Sequence, residues 1–309
     1  MKERSLITPV RLLRWLSLLF LVCLSTALLI ANVVLAVADE RQLADASVGQ
    51  KHQRFVVLGP HLVEAMFAIG AGQRIVGTSD FADYPARAKS IPRVASHSTV
   101  NYELIQSLQV DWVLVWQSGF GQDVVDRLRE LGMQVYVSEP SQLHDIALLL
   151  EELGALTGLQ DQAQRVAADF RDELLRTRER YRNVESVTAF YQVWHEPLQT
   201  LNGRHIVSAV IELCGGRNVF ADAPVIAPKV SVESVIAANP QVILASASDG
   251  LQLDWRESWL PWPMIDAVAG GQLHFVEPDT LVRHSPRIFE GIRQVCAILD
   301  SVRANDDSL

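Results

Sequence analysis

Short apolar runs alternate with helical segments along most of this chain, and this alternation constrains the possible folds more than any other feature. The runs Phe55 to Leu58 and Trp112 to Trp116 have the length and composition of buried strands. The segments Leu62 to Ile69 and Tyr102 to Leu108 have helical periodicity. Strands that alternate with helices are typical of a mainly parallel sheet with ligand-binding residues at the strand ends. The sequence therefore predicts an α/β fold.

One long segment interrupts the alternation. From Asp161 to Arg182 the chain is charged and contains no glycine or proline, and Val166, Phe170 and Leu174 form an apolar stripe. A helix of this length spans about 33 Å at 1.5 Å per residue, enough to cross a small domain. Predicted strands resume at 187–193 and 242–245. We predict a stiff helix that connects two α/β lobes.

A repeated phrase indicates that the two lobes are similar. Tyr102 to Ile105, followed by Asp111 to Val115, corresponds to Val232 to Ile236, followed by Pro240 to Leu244. The predicted architecture is two Rossmann-like lobes joined by a single long α-helix, with a cleft between the lobes. The predicted limits are residues 55–158 for the N-terminal lobe, 159–184 for the connecting helix and 185–305 for the C-terminal lobe.

The first 38 residues have the pattern of a secretory signal peptide. Four basic residues precede an uncharged, mostly apolar stretch from Leu16 to Ala38, which ends in Ala36-Val37-Ala38. The stretch is longer than usual, so an uncleaved membrane anchor is the alternative. We predict that residues 1–38 are a signal peptide, that residues 39–54 are a flexible lead-in, and that the chain is exported to the periplasm.

Charge and composition exclude two broad classes. The chain has 27 Lys and Arg against 36 Asp and Glu, and residues 39–309 carry a formal charge of −12. An acidic chain lacks the basic face that phosphate binding requires, which argues against nucleic acid as a partner. The apolar fraction of 49% excludes a disordered chain, because such a chain buries enough surface to fold.

Cys214 and Cys296 are the two cysteines beyond the predicted signal peptide. In an oxidising compartment an even pair is more often a disulfide than two free thiols, so we predict a disulfide and keep two buried thiols as the alternative. Closing a loop of roughly 80 residues contributes about 4 kcal/mol in the chain-entropy description.

Four short motifs resemble one known family. Asp83-Tyr84-Pro85, Asn101 to Ile105, Cys214 to Phe220 and Ser285 to Ile288 are similar to motifs of the periplasmic cobalamin-binding proteins of ABC importers. These belong to the class III solute-binding proteins, which also bind ferric siderophores and haem. The resemblance runs from about Phe55 to Leu299. It implies two α/β lobes bridged by one helix, a ligand held between them and little hinge motion.

The resemblance implies a partner and two docking residues. In the family, one surface carboxylate on each lobe pairs with arginines of the membrane permease, and Glu103 and Glu233 match those positions. Separated charges of this kind orient a partner and raise its association rate. We therefore expect docking onto an ABC importer permease that works with its ATPase, with ordinary solvated glutamates as the alternative.

The resemblance also implies ligand contacts from both lobes. Trp116 closes a predicted strand and is expected to stack on the ligand, and Phe81 stands where relatives have tyrosine. The family's other cleft aromatics are absent at His97, Gln199, Ala227 and Thr280, and the cluster around Trp194 and His195 is expected to compensate. Asp279 and Arg283 lie in a loop that the resemblance places at the cleft, while Arg287 is expected to hold that loop against the terminal helix. The predicted ligand contacts are Trp116, Phe81, His97, Trp194, His195, Asp279 and Arg283.

Several other functions stay open at this point. Ferric siderophores and haem are alternative ligands within the family. A bare zinc or manganese ion is a further one, because His61, His97, His195, His205 and His284 lie on loops or helix ends of both lobes. An extracytoplasmic sensor that keeps its membrane anchor differs in location rather than fold. An enzyme is disfavoured, because the chain has no G-x-S-x-G elbow, phosphate-binding glycine loop or H-E-x-x-H helix. We predict no catalytic residue, no resident metal and no cofactor, since the chelate is the transported ligand.

Overall fold

The computed structural model of the chain describes residues 53–96, 98–246 and 255–306. From Gln53 onward the described residues pack as one compact unit. The predicted signal peptide, residues 39–52 of the lead-in and His97 lie outside the described residues. None of the helices in the described ranges is both long and apolar enough to cross a membrane.

Nine strands form two sheets in the described part of the chain, and every strand pair is parallel. The strands are β1 (Phe55–Leu58), β2 (Ile75–Ser79), β3 (Arg93–Ala95), β4 (Trp112–Trp116), β5 (Val135–Ser138), β6 (Val187–Gln192), β7 (Gly216–Asn218), β8 (Val242–Ala245) and β9 (Leu273–Phe275). The first sheet has the order β3-β2-β1-β4-β5, and the second has the order β7-β6-β8-β9. The predicted α/β fold with parallel sheets is confirmed.

Helices connect consecutive strands. They are α1 (Pro60–Ala68), α2 (Tyr102–Ser107), α3 (Gln117–Phe120), α4 (Gln122–Glu130), α5 (Leu143–Thr157), α6 (Gln160–Tyr181), α7 (Ile206–Leu213), α8 (Val232–Ala238), α9 (Asp266–Ala269), α10 (Pro278–Leu281) and α11 (Ile288–Asp306). Single 3₁₀ turns lie at Gly72–Arg74 and Ala86–Ser90. We call β1–β5 with α1–α5 the first lobe, and β6–β9 with α7–α11 the second lobe.

The two sheets share one topology, since β2, β1, β4 and β5 occupy the same order as β7, β6, β8 and β9. The central strands follow from their sequences: Phe55 to Leu58 and Val242 to Ala245 are buried at every position. Parallel strands that are covered on both faces are expected to be continuously apolar in this way. The three-residue strands β3 and β7 were not predicted, because Arg-Val-Ala and Gly-Arg-Asn contain no apolar run.

Helix α6 lies between the two lobes in sequence and contacts both of them. On one side, Ala163 of α6 packs closely against Gly154 of α5. A Cβ at Gly154 would lie 2.3 Å from the Cβ of Ala163, so residue 154 must be glycine. On the other side Phe170 meets Phe289 of α11, with ring centroids 4.9 Å apart. The predicted helix at 161–182 is therefore present at Gln160–Tyr181, while the predicted limits of the lobes stay a prediction.

The terminal helix α11 is fastened to the second lobe. A disulfide joins Cys214, at the end of α7, to Cys296, so the predicted bridge is present. Arg303 donates to the backbone oxygens of Cys214 at 2.7 Å and Gly215 at 3.0 Å. Because helix ends leave carbonyl groups without partners within the helix, this arginine supplies donors at the end of α7.

Candidate ligand-binding cleft

The two lobes meet at the carboxyl ends of their strands. Helix α1, which follows β1, and the loop after β2 contact residues 283–287, which lie between α10 and α11. In parallel α/β sheets, ligands bind outside the carboxyl ends of the strands. The residues that follow β1, β2, β4 and β5 in the first lobe and β6, β7 and β9 in the second are therefore the candidate site.

Trp116 closes β4 and is held by its neighbours. Its ring and that of His61 form a T-shaped pair, with centroids 5.5 Å apart. A Cβ at Gly119 would lie only 2.2 Å from Cε3 of the indole, so the backbone of α3 approaches the ring closely at this glycine. The side chain is half-buried, which leaves part of the indole at the surface. Trp116 is thus a fixed aromatic surface at the strand end.

Phe81 follows β2 and is the most exposed large apolar side chain of the described residues, at 68%. Its φ of 63° places a bulky residue in the left-handed region, where L-residues are disfavoured by roughly 1–2 kcal/mol. Strain of this kind persists where the surrounding structure imposes it, and it clusters at functional sites. The backbone therefore presents an aromatic ring to solvent at an energetic cost.

Trp194 and His195 follow β6 in the second lobe, and both are exposed. The indole nitrogen of Trp194 donates to the backbone oxygen of Glu196 at 2.9 Å, and its backbone forms an antiparallel bridge with Gln199. The predicted aromatic group at this strand end is thus accessible, although it has fewer fixed neighbours than Trp116. Among the described residues no group of three or more His, Cys, Asp or Glu side chains could hold a metal ion.

The loop after β7 adds two candidates that the sequence analysis missed. Val225 and Ile226 are exposed at 55% and 50%. Their segment is fixed by backbone hydrogen bonds, among them one from Asn202 to the oxygen of Ile226 at 2.9 Å. The signal in the sequence was an apolar pair between two prolines, Pro224 and Pro228, in a loop that follows a strand too short to be recognised.

Arg283 joins the lobes through a buried charge network. Its Nη1 donates to Glu64 at 2.9 Å and to Asp83 at 2.8 Å, both in the first lobe, while Nη2 pairs with Asp279 at 2.8 Å. The side chain is only 8% exposed. The second oxygen of Glu64 accepts a hydrogen bond from Ser285. The terminal nitrogens of Arg283 are paired with three carboxylates, one of which is Asp279. That Arg283 and Asp279 contact the ligand stays a prediction.

The pKa values in this network follow from burial and pairing. Burial raises the pKa of Glu64, and hydrogen bonds from Ser285 and Arg283 offset part of that rise. Burial opposes the charge on Arg283, but hydrogen bonding to Asp83 and Glu64 and the charge of Asp279 leave its pKa raised. Arg287 lies 3.5 Å from Glu64 and stacks over Tyr84, with its Cζ 4.3 Å from the ring centroid. Arg287 thus contacts the first lobe as well as Glu290 of α11.

Three of the five histidines noted in the sequence come together next to this network. The rings of His61 and His284 have centroids 6.1 Å apart, and His284 acts electrostatically on His205. Burial lowers the pKa of His61 to about 3 and that of His205 to about 4, and it also lowers the pKa of His284. These imidazoles are therefore neutral at pH 7, and Nε2 of His61 is buried without a hydrogen-bond partner.

The predicted docking residues occupy equivalent places in the two lobes. Glu103 and Glu233 are exposed. Glu103 is the second residue of α2, which precedes β4, and Glu233 is the second residue of α8, which precedes β8. Asn101 and Ser231 cap these helices by accepting hydrogen bonds from the backbone. Each carboxylate therefore lies in the first turn of a capped helix, where negative charge is favoured.

Comparison with known proteins defines the family. A model of the family described as periplasmic binding protein matches residues 56–259. The chain belongs to the periplasmic binding protein family. A vitamin B12-binding protein of Vibrio cholerae is 35% identical over 248 residues, which cover 80% of this chain and 89% of that protein. One from Yersinia pestis is 34% identical over 253 residues, covering 82% and 88%.

Solved structures extend the comparison to the fold. The periplasmic vitamin B12 binding protein of Vibrio cholerae matches with a TM-score of 0.74 and 34% identity over 81% of this chain and 98% of the other. A periplasmic heme-binding protein from Roseiflexus matches with a TM-score of 0.73 and 22% identity over 81% and 99%, which shows the shared fold alone. The predicted family resemblance is confirmed, and the relatives are binding proteins rather than enzymes.

Proposed function

We propose that this chain is exported to the periplasm, binds cobalamin or a related corrinoid between its lobes and delivers it to the permease of an ABC importer. One observation carries the proposal: a protein named for vitamin B12 binding is 35% identical over 80% of the chain. Export rests on the signal-peptide pattern of residues 1–38 and on the periplasmic family.

The strand-end side chains suit a large, flat and mostly apolar ligand. Phe81 and Trp116 in the first lobe and Trp194 in the second offer accessible aromatic surface, and aromatic rings contribute both area and stacking. His195 and the accessible part of Asp279 supply polar groups for amide substituents at the ligand's rim. His97, outside the described residues, is proposed as a further contact.

The ligand is tested by titration. Tryptophan fluorescence of the purified chain should be quenched stoichiometrically by cyanocobalamin, without consumption of the ligand. Cobinamide, haem and a ferric hydroxamate, titrated in parallel, separate the corrinoid from the alternative chelates. Quenching by haem alone or by the hydroxamate alone would show that this compound, rather than a corrinoid, is the ligand. If none of the four quenches the fluorescence, the ligand assignment is wrong.

The site is tested by truncating the exposed indole of the second lobe. Trp194→Ala should weaken cyanocobalamin binding by about tenfold, equivalent to about 1.4 kcal/mol. Leu175→Ala is the matched control, because Leu175 is 55% exposed on α6, which contributes no residue to the candidate site. Unchanged affinity in Trp194→Ala, or an equal loss in the control, would exclude Trp194 from the site.

We propose that Glu103 and Glu233 dock the chain onto permease arginines. Their equivalent places on α2 and α8 give a two-lobed protein one charge on each lobe, which suits a partner with two similar halves. The double variant Glu103→Lys/Glu233→Lys should abolish uptake of labelled cobalamin by cells with the importer, while cobalamin affinity is retained. Asp169→Lys/Asp172→Lys on α6 makes the same charge change elsewhere, and full uptake by the first variant would refute docking.

A further inference from the structure

Arg283 belongs to the second lobe, yet it is bound mainly by the first. Two of its three carboxylate partners, Glu64 and Asp83, are first-lobe residues, 219 and 200 positions away in sequence. Glu64 is 4% exposed and has both oxygens held by the second lobe, through Arg283 and Ser285. The second lobe is thus bonded to α1 and to the loop after β2 at the same time.

Two neighbouring residues of the second lobe, Arg283 and His284, are linked to the aromatic residues of the candidate site in the first lobe. Asp83 lies two residues after Phe81, and its backbone N–H donates to the oxygen of Phe81 at 3.1 Å, so anchoring Asp83 anchors the strained turn. His284, next to Arg283, packs on His61, and His61 in turn contacts Trp116 in a T-shaped arrangement. One short segment of the second lobe therefore supports both candidate aromatic rings of the first.

The chemistry favours fixed geometry over net stabilisation. A buried ion pair gives uncertain stability, because the cost of removing charges from water offsets their attraction. Arginine presents its donors in a rigid planar fork, so a guanidinium with three carboxylates tolerates only one arrangement of the groups around it. A network of this kind selects one arrangement of the two lobes.

The geometry points to Arg283 as a positioning residue that, by holding Glu64 and Asp83, sets the arrangement of the lobes and fixes Phe81 and Trp116 for ligand. Its effect on ligand rests on the proposed function. Its effect on the loop after β2 does not.

Hydrogen exchange tests the positioning directly. In Arg283→Met, amide exchange at residues 81–84 and 61–63 should accelerate by about tenfold, while strand β6 of the second lobe stays protected. Arg283→Lys keeps the charge without the planar fork and should restore part of the protection. The matched control is Arg293→Met, which removes an exposed bridge from α11 to Glu173 at 3.0 Å and should leave both segments unchanged.

Ligand kinetics supply the second readout. With cyanocobalamin as probe, Arg283→Met should raise the dissociation rate by about tenfold, with Arg283→Lys between it and the parent chain. Asp83→Asn, at a half-exposed site, is the milder variant should Arg283→Met fail to fold, and it should accelerate exchange at residues 81–84 in the same direction. Unchanged exchange at those residues in the folded variant, or acceleration spread evenly through both lobes, would overturn the positioning role. Absence of cyanocobalamin binding in the parent chain would instead refute the proposed function and leave the exchange result valid.

Discussion

The two lobes share a topology but hold their candidate ligand contacts in different ways. In the first lobe, Trp116 is wedged between Gly119 and His61, and Phe81 is displayed by a strained backbone. In the second lobe, Trp194 is exposed and its indole has one hydrogen bond, to a backbone oxygen two residues away. If these residues contact a ligand, we expect a preorganised surface in the first lobe and a more adaptable one in the second.

The cross-links that hold the terminal helix of each lobe are stronger in the second lobe than in the first. The second lobe carries the disulfide and the Arg303 contacts that tie α11 to the end of α7. The described part of the first lobe contains no disulfide, and its terminal helix α5 is held by packing against α6 and by the pair between Arg171 and Glu151. The second lobe, whose candidate contacts are held by fewer neighbours, thus has the more strongly cross-linked terminal helix.

The largest expected effect on stability comes from removing the disulfide of the second lobe. Cys214→Ala/Cys296→Ala opens a loop with a sequence separation of 82 residues and should lower the free energy of unfolding by about 4 kcal/mol, measured by urea titration. Hydrogen exchange should accelerate first at α7 and β7, near the lost bridge. A uniform change across both lobes would show that the disulfide stabilises the whole unit rather than the second lobe.

The next largest effect is a loss of stability at low pH, caused by one buried histidine in each lobe. His61 in the first lobe and His205 in the second have pKa values lowered to about 3 and about 4, against an ordinary value near 6.5. Between pH 6.5 and 5 the unfolded chain therefore takes up protons that the folded chain does not, so stability falls as the pH falls. Each histidine should cost about 2 kcal/mol over that interval.

Single substitutions separate the two contributions. Urea titrations at pH 6.5 and 5 should show a smaller loss of stability in His61→Gln and in His205→Gln than in the parent chain. His195→Gln, at an exposed position, is the control and should retain the parent's loss. An unchanged loss in both variants would mean that neither imidazole is held in its neutral form by burial.

The sequence was sufficient for most of the frame. Apolar runs at Phe55 to Leu58 and Val242 to Ala245 mark buried parallel strands residue by residue, because both faces of such strands are covered. The glycine-free segment ending at Tyr181 likewise marks the long helix. Edge strands β3 and β7 left no such signal, since three-residue strands with two apolar side chains in β3 and none in β7 are too short to show periodicity.

The candidate site was less predictable, because its contacts join distant parts of the chain. Arg283 was expected at the ligand, and only the three-dimensional arrangement reveals Glu64 as its partner, 219 positions away. The meeting of His61 with His284 was hidden for the same reason. Local patterns identify strand-end residues, whereas the pairing of the two lobes depends on how the sheets are placed.

A smaller effect is expected from disturbing the fixed ring of the first lobe. In Gly119→Ala the new Cβ would lie 2.2 Å from the Trp116 indole, so the ring must move. Overpacking of this kind costs roughly 1–3 kcal/mol in stability, and displacement of the ring should weaken cyanocobalamin binding several-fold in titration. Gly270→Ala in the second lobe is the matched control, since its nearest neighbour, a backbone oxygen, would be 3.2 Å away. Equal effects of the two substitutions would remove the distinction between a fixed and an adaptable lobe.

The smallest effect on stability concerns Phe81, and its sign is informative. Glycine adopts a φ of 63° without the penalty of a side chain, but it also increases the entropy of the unfolded chain. Phe81→Gly should therefore raise the free energy of unfolding by at most about 1 kcal/mol, while cyanocobalamin affinity falls because the exposed ring is lost. Gln109→Gly is the matched control, since Gln109 has a φ of 48° and lies at the opposite end of the sheet, before β4. It should gain similar stability at unchanged affinity, and a loss of stability in Phe81→Gly alone would mean that the ring is held by packing rather than displayed for a ligand.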